Sequence, residues 1–149
     1  MKKYVLFMLL MTFTFALAAC TQSEEEKIQA YLKDKSEIFY HFSVVDFTDE
    51  KLNIEFTMLP NSETWSNDAA ESDVSIETKA SLEAIKNYSK KYLGVIKEVN
   101  LYFVMRETNK VVAEINANND TILETDWKDV SNRELSQIVD GYKFYGVSN

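Results

Sequence analysis

Residues 52–58 read Leu52-Asn53-Ile54-Glu55-Phe56-Thr57-Met58, four apolar side chains separated by three polar ones. A period of two is the mark of a β-strand with one face buried and the other wet. Immediately before it, Thr48-Asp49-Glu50-Lys51 is a polar turn. From Ile38 to Phe47 the residues are aromatic and β-branched, with Tyr40, Phe42 and Val44 on one side and His41, Ser43 and Val45 on the other. That composition suits a second strand, and strands joined by so short a turn pair antiparallel.

The same alternation returns downstream. Val99, Leu101, Phe103 and Met105 alternate with Asn100, Tyr102 and Val104, and after Glu107-Thr108-Asn109-Lys110 come Val111, Ala113 and Ile115. This is a second hairpin, followed by a turn at Asn118-Asn119-Asp120 and a short strand expected near Thr121–Thr125. Helical spacing frames the hairpins. Ser23-Glu24-Glu25-Glu26 forms a capping box ahead of Ile28, Tyr31 and Leu32. Ser75 is the expected start of a second helix carrying Leu82, Ile85, Tyr88 and Tyr92, which Gly94 ends. Ser131-Asn132-Arg133-Glu134 is another capping box before Leu135, Ile138, Val139 and Tyr142, with Gly141 as the stop. The expectation is one α+β domain over residues 23–149 in the order α-β-β-α-β-β-(β)-α. Its single antiparallel sheet of four to five strands has the helices packed on one face.

Between the two halves, Leu59 to Val74 contains the chain's only proline, Trp65, and the scattered acids Glu63, Asp68, Glu71 and Asp73. It reads as a long loop, and loops of that length usually carry function. Trp65, Glu63 and Asp68 are therefore the expected partner-binding residues. A large aromatic there either tucks against the sheet or anchors a partner. The aromatics Tyr142, Phe144 and Tyr145 near the end are expected to pack back onto the sheet.

The first nineteen residues differ from all this. Lys2 and Lys3 precede an almost wholly apolar run from Tyr4 to Ala19 with no acid, the three-part form of a secretory signal peptide. Leu17-Ala18-Ala19-Cys20 resembles the lipobox of bacterial membrane lipoproteins, of the kind found in Gram-positive cells. The resemblance covers the first twenty residues. It implies cleavage between Ala19 and Cys20, a diacylglycerol on the Cys20 thiol, residues 20–22 as anchor and spacer, and a location on the outer face of the cell membrane. The alternative is an uncleaved span, since Tyr4 to Cys20 is at the lower limit for crossing a bilayer. Either way the two lysines stay on the cytoplasmic side. Two acyl chains hold where one binds marginally, each buried methylene contributing about 0.8 kcal/mol.

The chain has 149 residues with 16 basic and 24 acidic side chains, one Cys and one His. Loss of residues 1–19 removes two lysines and no acid, so the net charge moves from −8 to −10. An acidic domain is repelled by anionic lipid within a Debye length of about 8 Å. The composition argues against nucleic-acid binding through a basic surface and against a Cys/His zinc site. Cys20 is taken by the anchor, and His41 stands alone in an aromatic strand without a nucleophile to serve. Asn116, Asn118 and Asp120 open like a calcium loop, but Thr121 stands where glycine is needed and Trp127 where the bidentate Glu belongs. Gly94, Gly141 and Gly146 are isolated, so no phosphate loop exists. No metal, cofactor or enzymatic activity is expected. The expected function is a non-enzymatic module that binds an envelope protein. The alternative is a single-lobe small-ligand carrier whose pocket is lined by Tyr40, Phe42, Phe56 and Phe103.

Overall fold

A computed structural model describes residues 22–35, 41–59, 65–92 and 96–147. The elements run α1 (Glu24–Lys35), β1 (His41–Thr48), β2 (Lys51–Met58), α2 (Asn67–Lys91), β3 (Glu98–Met105), β4 (Val111–Asn118), α3 (Asn119–Glu124), α4 (Leu135–Ile138) and β5 (Gly141–Phe144). The fold is α+β, with the five strands in spatial order β1-β2-β3-β4-β5.

The capping box of α1 forms as its sequence requires. The Glu26 amide donates to Ser23 Oγ at 3.2 Å and the Ser23 amide donates to the Glu26 carboxylate at 3.3 Å. Ile28 and Leu32, one turn apart, are fully buried.

The first hairpin closes through Asp49 and Glu50, both at positive φ, 52° and 65°. Two left-handed residues in a two-residue loop match the twist of the flanking strands. Left-handed backbone costs a non-glycine residue about 1–2 kcal/mol, while an exposed ion pair such as Glu50–Lys97 contributes about 0–1 kcal/mol. Glu50→Gly keeps the carbonyl that accepts the Lys97 amide at 2.8 Å. It is expected to stabilise the domain by up to about 1 kcal/mol in urea unfolding, the left-handed relief outweighing the lost pair. A lower urea midpoint would show that the ion pair dominates.

β1 contains a bulge between Val44 and Asp46. The extra residue, Val45, is turned out to 59% exposure and Phe47 is brought back against the core. β1 is also an edge strand, and α1 shields it: the Val44 amide donates to Gln29 Oε1 at 3.3 Å.

Two expectations about the sheet need correction. It is mixed, because β2 and β3 pair in parallel from Lys51↔Glu98 to Met58↔Met105. A strand followed by a long crossover helix returns in the same direction, whereas the hairpin pairs β1–β2 and β3–β4 are antiparallel. The fifth strand is also not at Thr121–Thr125. Asn118 Oδ1 accepts the Thr121 amide at 2.9 Å and so caps a helix there, α3. The fifth strand is Gly141–Phe144, antiparallel to β4. Gly141 therefore opens a strand instead of stopping a helix. A Cβ at Gly141 would lie 3.3 Å from Asn116 Cβ, so the absence of a side chain permits the pairing. The preceding capping box forms only in part and does not open the helix. Ser131 N–H and Oγ both donate to Glu134 Oε2 at 3.1 and 2.6 Å, the Glu134 amide goes to the Ser131 carbonyl, and α4, one turn long, starts after Glu134 without a side-chain cap.

The loop expected over residues 59–74 is the largest departure. Ser66 caps α2 by accepting the Ala69 amide at 3.2 Å, and the helix runs 25 residues from Asn67. Ser75, expected as its cap, is buried within it. The first half of α2 turns Ala70, Val74, Ser75, Glu77, Thr78 and Ser81 inward. These side chains are mostly small or polar, and their apolar period is too weak to read.

The core lies between one sheet face and the helices. Leu52, Ile54, Phe56, Val99, Leu101 and Phe103 pack with Ile28, Leu32, Leu82 and Ile85. Phe56 and Phe103 are stacked with centroids 4.7 Å apart and Phe42 lies 5.9 Å from Phe56. Trp127 is the largest fully buried side chain, and its Nε1–H donates to the Ile122 carbonyl at 3.1 Å.

Candidate functional site

The sheet face away from this core carries the polar half of each strand. Its centre is a transverse ladder of amides. Asn53 Nδ2 donates to Asp46 at 3.4 Å, Asn100 Nδ2 to Asn53 Oδ1 at 3.0 Å, and Asn116 Nδ2 to Asn100 Oδ1 at 2.8 Å and Glu98 Oε1 at 3.1 Å. Lys51 closes the row with Glu98 at 3.0 Å. The Lys51 ammonium, and after it the Asn116 and Asn100 amides, hold the Glu98 carboxyl below its usual range. Groups this fully engaged with one another fix strand register and leave little for a ligand. Beyond the ladder, a depression of about 430 Å³ is lined by His41, Glu55, Thr57, Leu59, Val104, Arg106 and Asn109. His41 is exposed at its rim.

The second concavity lies where α2, the segment around α4 and β5 meet. It has a volume of about 490 Å³, with Asp68, Glu71, Ser72 and Ser75 from α2, Asn132, Arg133 and Ser136 from the α4 region, and Tyr142 from β5. Its walls are tied together. Lys79 Nζ donates to the Val130 carbonyl at 3.0 Å and to Asn132 Oδ1 at 2.6 Å, and Asn132 Nδ2 donates to Ser72 Oγ at 3.2 Å. The chain end is fastened to the same place, the Val147 amide donating to Asn67 Oδ1 at 2.7 Å. Gly146, at φ +81°, is required there, since a Cβ would sit 2.9 Å from that Asn67 oxygen.

Within this braced cleft the charged groups differ in engagement. Tyr142 donates its hydroxyl to Glu71 at 3.3 Å. Asp68 and Arg133 are exposed and make no hydrogen bond or ion pair among the described residues. Burial pushes the Tyr142 phenol up to about 12, with the Ser75 hydrogen bond working against it and the Glu71 charge adding to it. A phenol raised from 10 to about 12 on folding binds its proton more tightly in the native state. Its contribution to stability is complete below about pH 10 and is lost as pH rises toward 12. Tyr142→Phe is therefore expected to remove part of the alkaline destabilisation seen in pH-dependent melting. An unchanged alkaline limb would show that the phenol is not buried.

The sequence-predicted site residues are not brought together. Trp65 is half-buried and packs against the core one residue before the α2 cap, while Asp68 lies exposed in the first turn of α2 on the cleft. Glu63, Ala19 and Cys20 lie outside the described residues. Phe42, Phe56 and Phe103 fill the core in place of lining a pocket, and Tyr40 lies outside the described residues. Tyr142 and Phe144 pack back onto the sheet as expected, and Tyr145 remains half-exposed. Arg133, Glu71 and Tyr142 are the cleft residues that sequence reasoning missed. Asn118 and Asp120, considered as calcium ligands, belong to the cap and first turn of α3. Among the described residues no group of three His, Cys, Asp or Glu is placed to hold a metal ion, and no helix is long and apolar enough to cross a membrane.

No protein-family model, no curated protein and no solved structure matches the chain.

Proposed function

We propose that this chain is a bacterial lipoprotein, cleaved before Cys20 and held by a diacylglycerol on that residue at the outer face of the cell membrane. Its exported domain is a non-enzymatic module that binds an envelope protein. The order Lys2-Lys3, apolar run, Leu17-Ala18-Ala19-Cys20 supports the anchor. The observation that carries the binding role is the braced cleft in which the Asp68 and Arg133 side chains have no hydrogen-bond or ion-pair partner among the described residues. Three serines line it, but no histidine or cysteine accompanies them. The imidazole that most often activates a serine nucleophile is not among them.

Exposed, unpaired charges contribute little to folding and are free to pair across an interface, where arginine is over-represented among energetic hot spots. A photoreactive residue at Ser136 in the anchored protein is expected to crosslink a protein partner in its own membrane. Arg133→Glu and Asp68→Lys are each expected to weaken that capture more than about tenfold, the size of a hot-spot loss near 2 kcal/mol. The melting temperature should stay the same in Arg133→Glu, while Asp68→Lys, which puts a cation in the first turn of α2, should cost no more than about 1 kcal/mol. Undiminished crosslinking by both variants would contradict the assignment.

A second reading, a carrier of a small polar ligand, is favoured by the volume, since 490 Å³ exceeds the lower end of ligand sites at about 300 Å³. Native mass spectrometry separates the two, because a carrier retains a small molecule that Arg133→Glu releases.

A further inference from the structure

Where α1 meets the end of α2, the surface is aromatic and cationic. Tyr31 packs edge-on against Tyr88 with centroids 5.1 Å apart and against Tyr92 at 6.3 Å, and Tyr88 and Tyr92 lie 4.5 Å apart. The Lys91 ammonium stands 5.8 Å from the Tyr31 ring and 5.1 Å from the Tyr92 ring. Tyr88 is buried, but Tyr92 keeps 44% of its surface exposed, with Lys90 and Lys91 exposed beside it. Tyr31 lies about two turns along α1 from its first residue, Glu24. Burial, and after it the charge of Glu24, pushes the Tyr88 phenol above its usual range.

We infer that this Tyr31/Tyr92/Lys90/Lys91 patch is the side of the exported domain that rests on the anionic phospholipid surface to which Cys20 is anchored. The inference depends on the lipid-anchor reading and deepens it by fixing an orientation. Tether length favours this occupant, because Cys20 precedes the first residue of α1 by four positions, a reach of at most about 14 Å. The chemistry agrees with it. Tyrosine rings favour the headgroup level of a bilayer, where ring and hydroxyl meet apolar and wet surroundings, and each lysine close to an anionic surface contributes about 1 kcal/mol.

Of the acids nearest the tether, Glu24 is neutralised by an ion pair, while Glu25 and Glu26 are hydrogen-bonded and keep their charge. Glu24 pairs with Lys27 at 2.6 Å, and Glu26 accepts the Ser23 amide. Hydrogen bonds from its own backbone amide, Ser23 and the Phe47 amide hold the Glu25 carboxyl below its usual range. The net charge of −10 on residues 20–149 opposes approach by the rest of the surface. Because α1 and α2 cover one sheet face, the opposite face then turns away from the lipid.

The test uses the acylated protein reconstituted in phosphatidylcholine vesicles containing phosphatidylglycerol. Cys20 is the only cysteine and its thiol is blocked by the lipid, so one introduced thiol carries the spin label. Asn87→Cys places the label one turn from Lys91 on the same side of α2, and Tyr145→Cys places it on an exposed residue after β5. We expect the label at position 87 to lose collisions with a water-soluble relaxation agent and gain them with oxygen, while that at 145 stays as accessible as in detergent. Adding Tyr92→Ser, Lys90→Glu and Lys91→Glu should restore water access at 87 while the protein still floats with the vesicles. Flotation with equal access at 87 and 145, or shielding that survives the triple change, overturns the orientation alone. Failure of the protein to float overturns the anchor and the orientation with it.

Discussion

Cys20→Ser is expected to abolish incorporation of labelled fatty acid and to leave the chain in its precursor form, heavier by residues 1–19. The reason is chemical. Acylation needs a thiolate, and Cys20 is the only cysteine in the chain. A serine hydroxyl ionises far too weakly to replace it. Two acyl chains, at about 0.8 kcal/mol for each buried methylene, give an anchor that washing does not reverse. The effect is all-or-none, read by fatty-acid labelling and by migration of the protein. Normal labelling of the serine variant would show that another residue carries the lipid, and the reading of Leu17-Ala18-Ala19-Cys20 would fall.

Trp127→Ala is the substitution expected to damage the fold most among those outside the sheet. The indole is 1% exposed, belongs to the same core cluster as Ile122, Val130 and Leu135, and donates to the Ile122 carbonyl. Truncating a buried tryptophan costs about 3–5 kcal/mol, against a total stability of about 5–15 kcal/mol for a typical domain. Trp65→Ala, at a side chain only partly buried against the same core, is expected to cost about 1 kcal/mol. Urea unfolding of the two variants compares them directly. Equal losses would contradict the placement of Trp127 at the centre of the α3–α4 segment. The contrast also bears on function, because a binding defect in Trp65→Ala has to be measured below its own unfolding transition.

How far residue order revealed the fold depended on whether local pattern and packing agreed. In β2 and β3 they did, since strict alternation at Leu52, Ile54, Phe56 and Met58, and at Val99, Leu101 and Phe103, is what a half-buried strand requires. The start of α2 was hidden because Ala70, Ser75, Thr78 and Ser81 bury small side chains where a helix usually buries leucine. The helix signal there was the single cap at Ser66, lying in a segment rich in loop-forming residues. At 118–125 the Asn-Asn-Asp cluster had two physical uses, a turn and a helix cap, and the hydrogen bond from Thr121 to Asn118 decides for the cap. The parallel β2–β3 pair follows from the length of α2, which the misplaced start obscured. Of the cleft, Asp68 was legible as an exposed acid. Arg133 and Tyr142 were not, because they join it only through the bonds from Lys79, Asn132 and Tyr142 that bring sequence-distant segments together.

The braced cleft and the Tyr92 patch give the domain two surfaces with different chemistry. The first holds exposed charges of both signs, Asp68 and Arg133, that are unpaired among the described residues. The second combines ring surface with two ammonium groups where the second half of α1 meets the end of α2. A module bound by one surface to lipid and by the other to protein needs no enzymatic machinery to act. Under the proposed function, such a module keeps its partner within a short distance of the membrane.

The central claim is that this domain is carried to the outer face of the membrane on a lipidated Cys20. Its most direct test is intact-mass and fragment analysis of the protein extracted from the membrane of the cell that makes it. The expected product is a chain whose first residue is Cys20, bearing a thioether-linked diacylglycerol, with residues 1–19 gone. A chain that retains residues 1–19, or that begins at Cys20 with a free thiol, would contradict it.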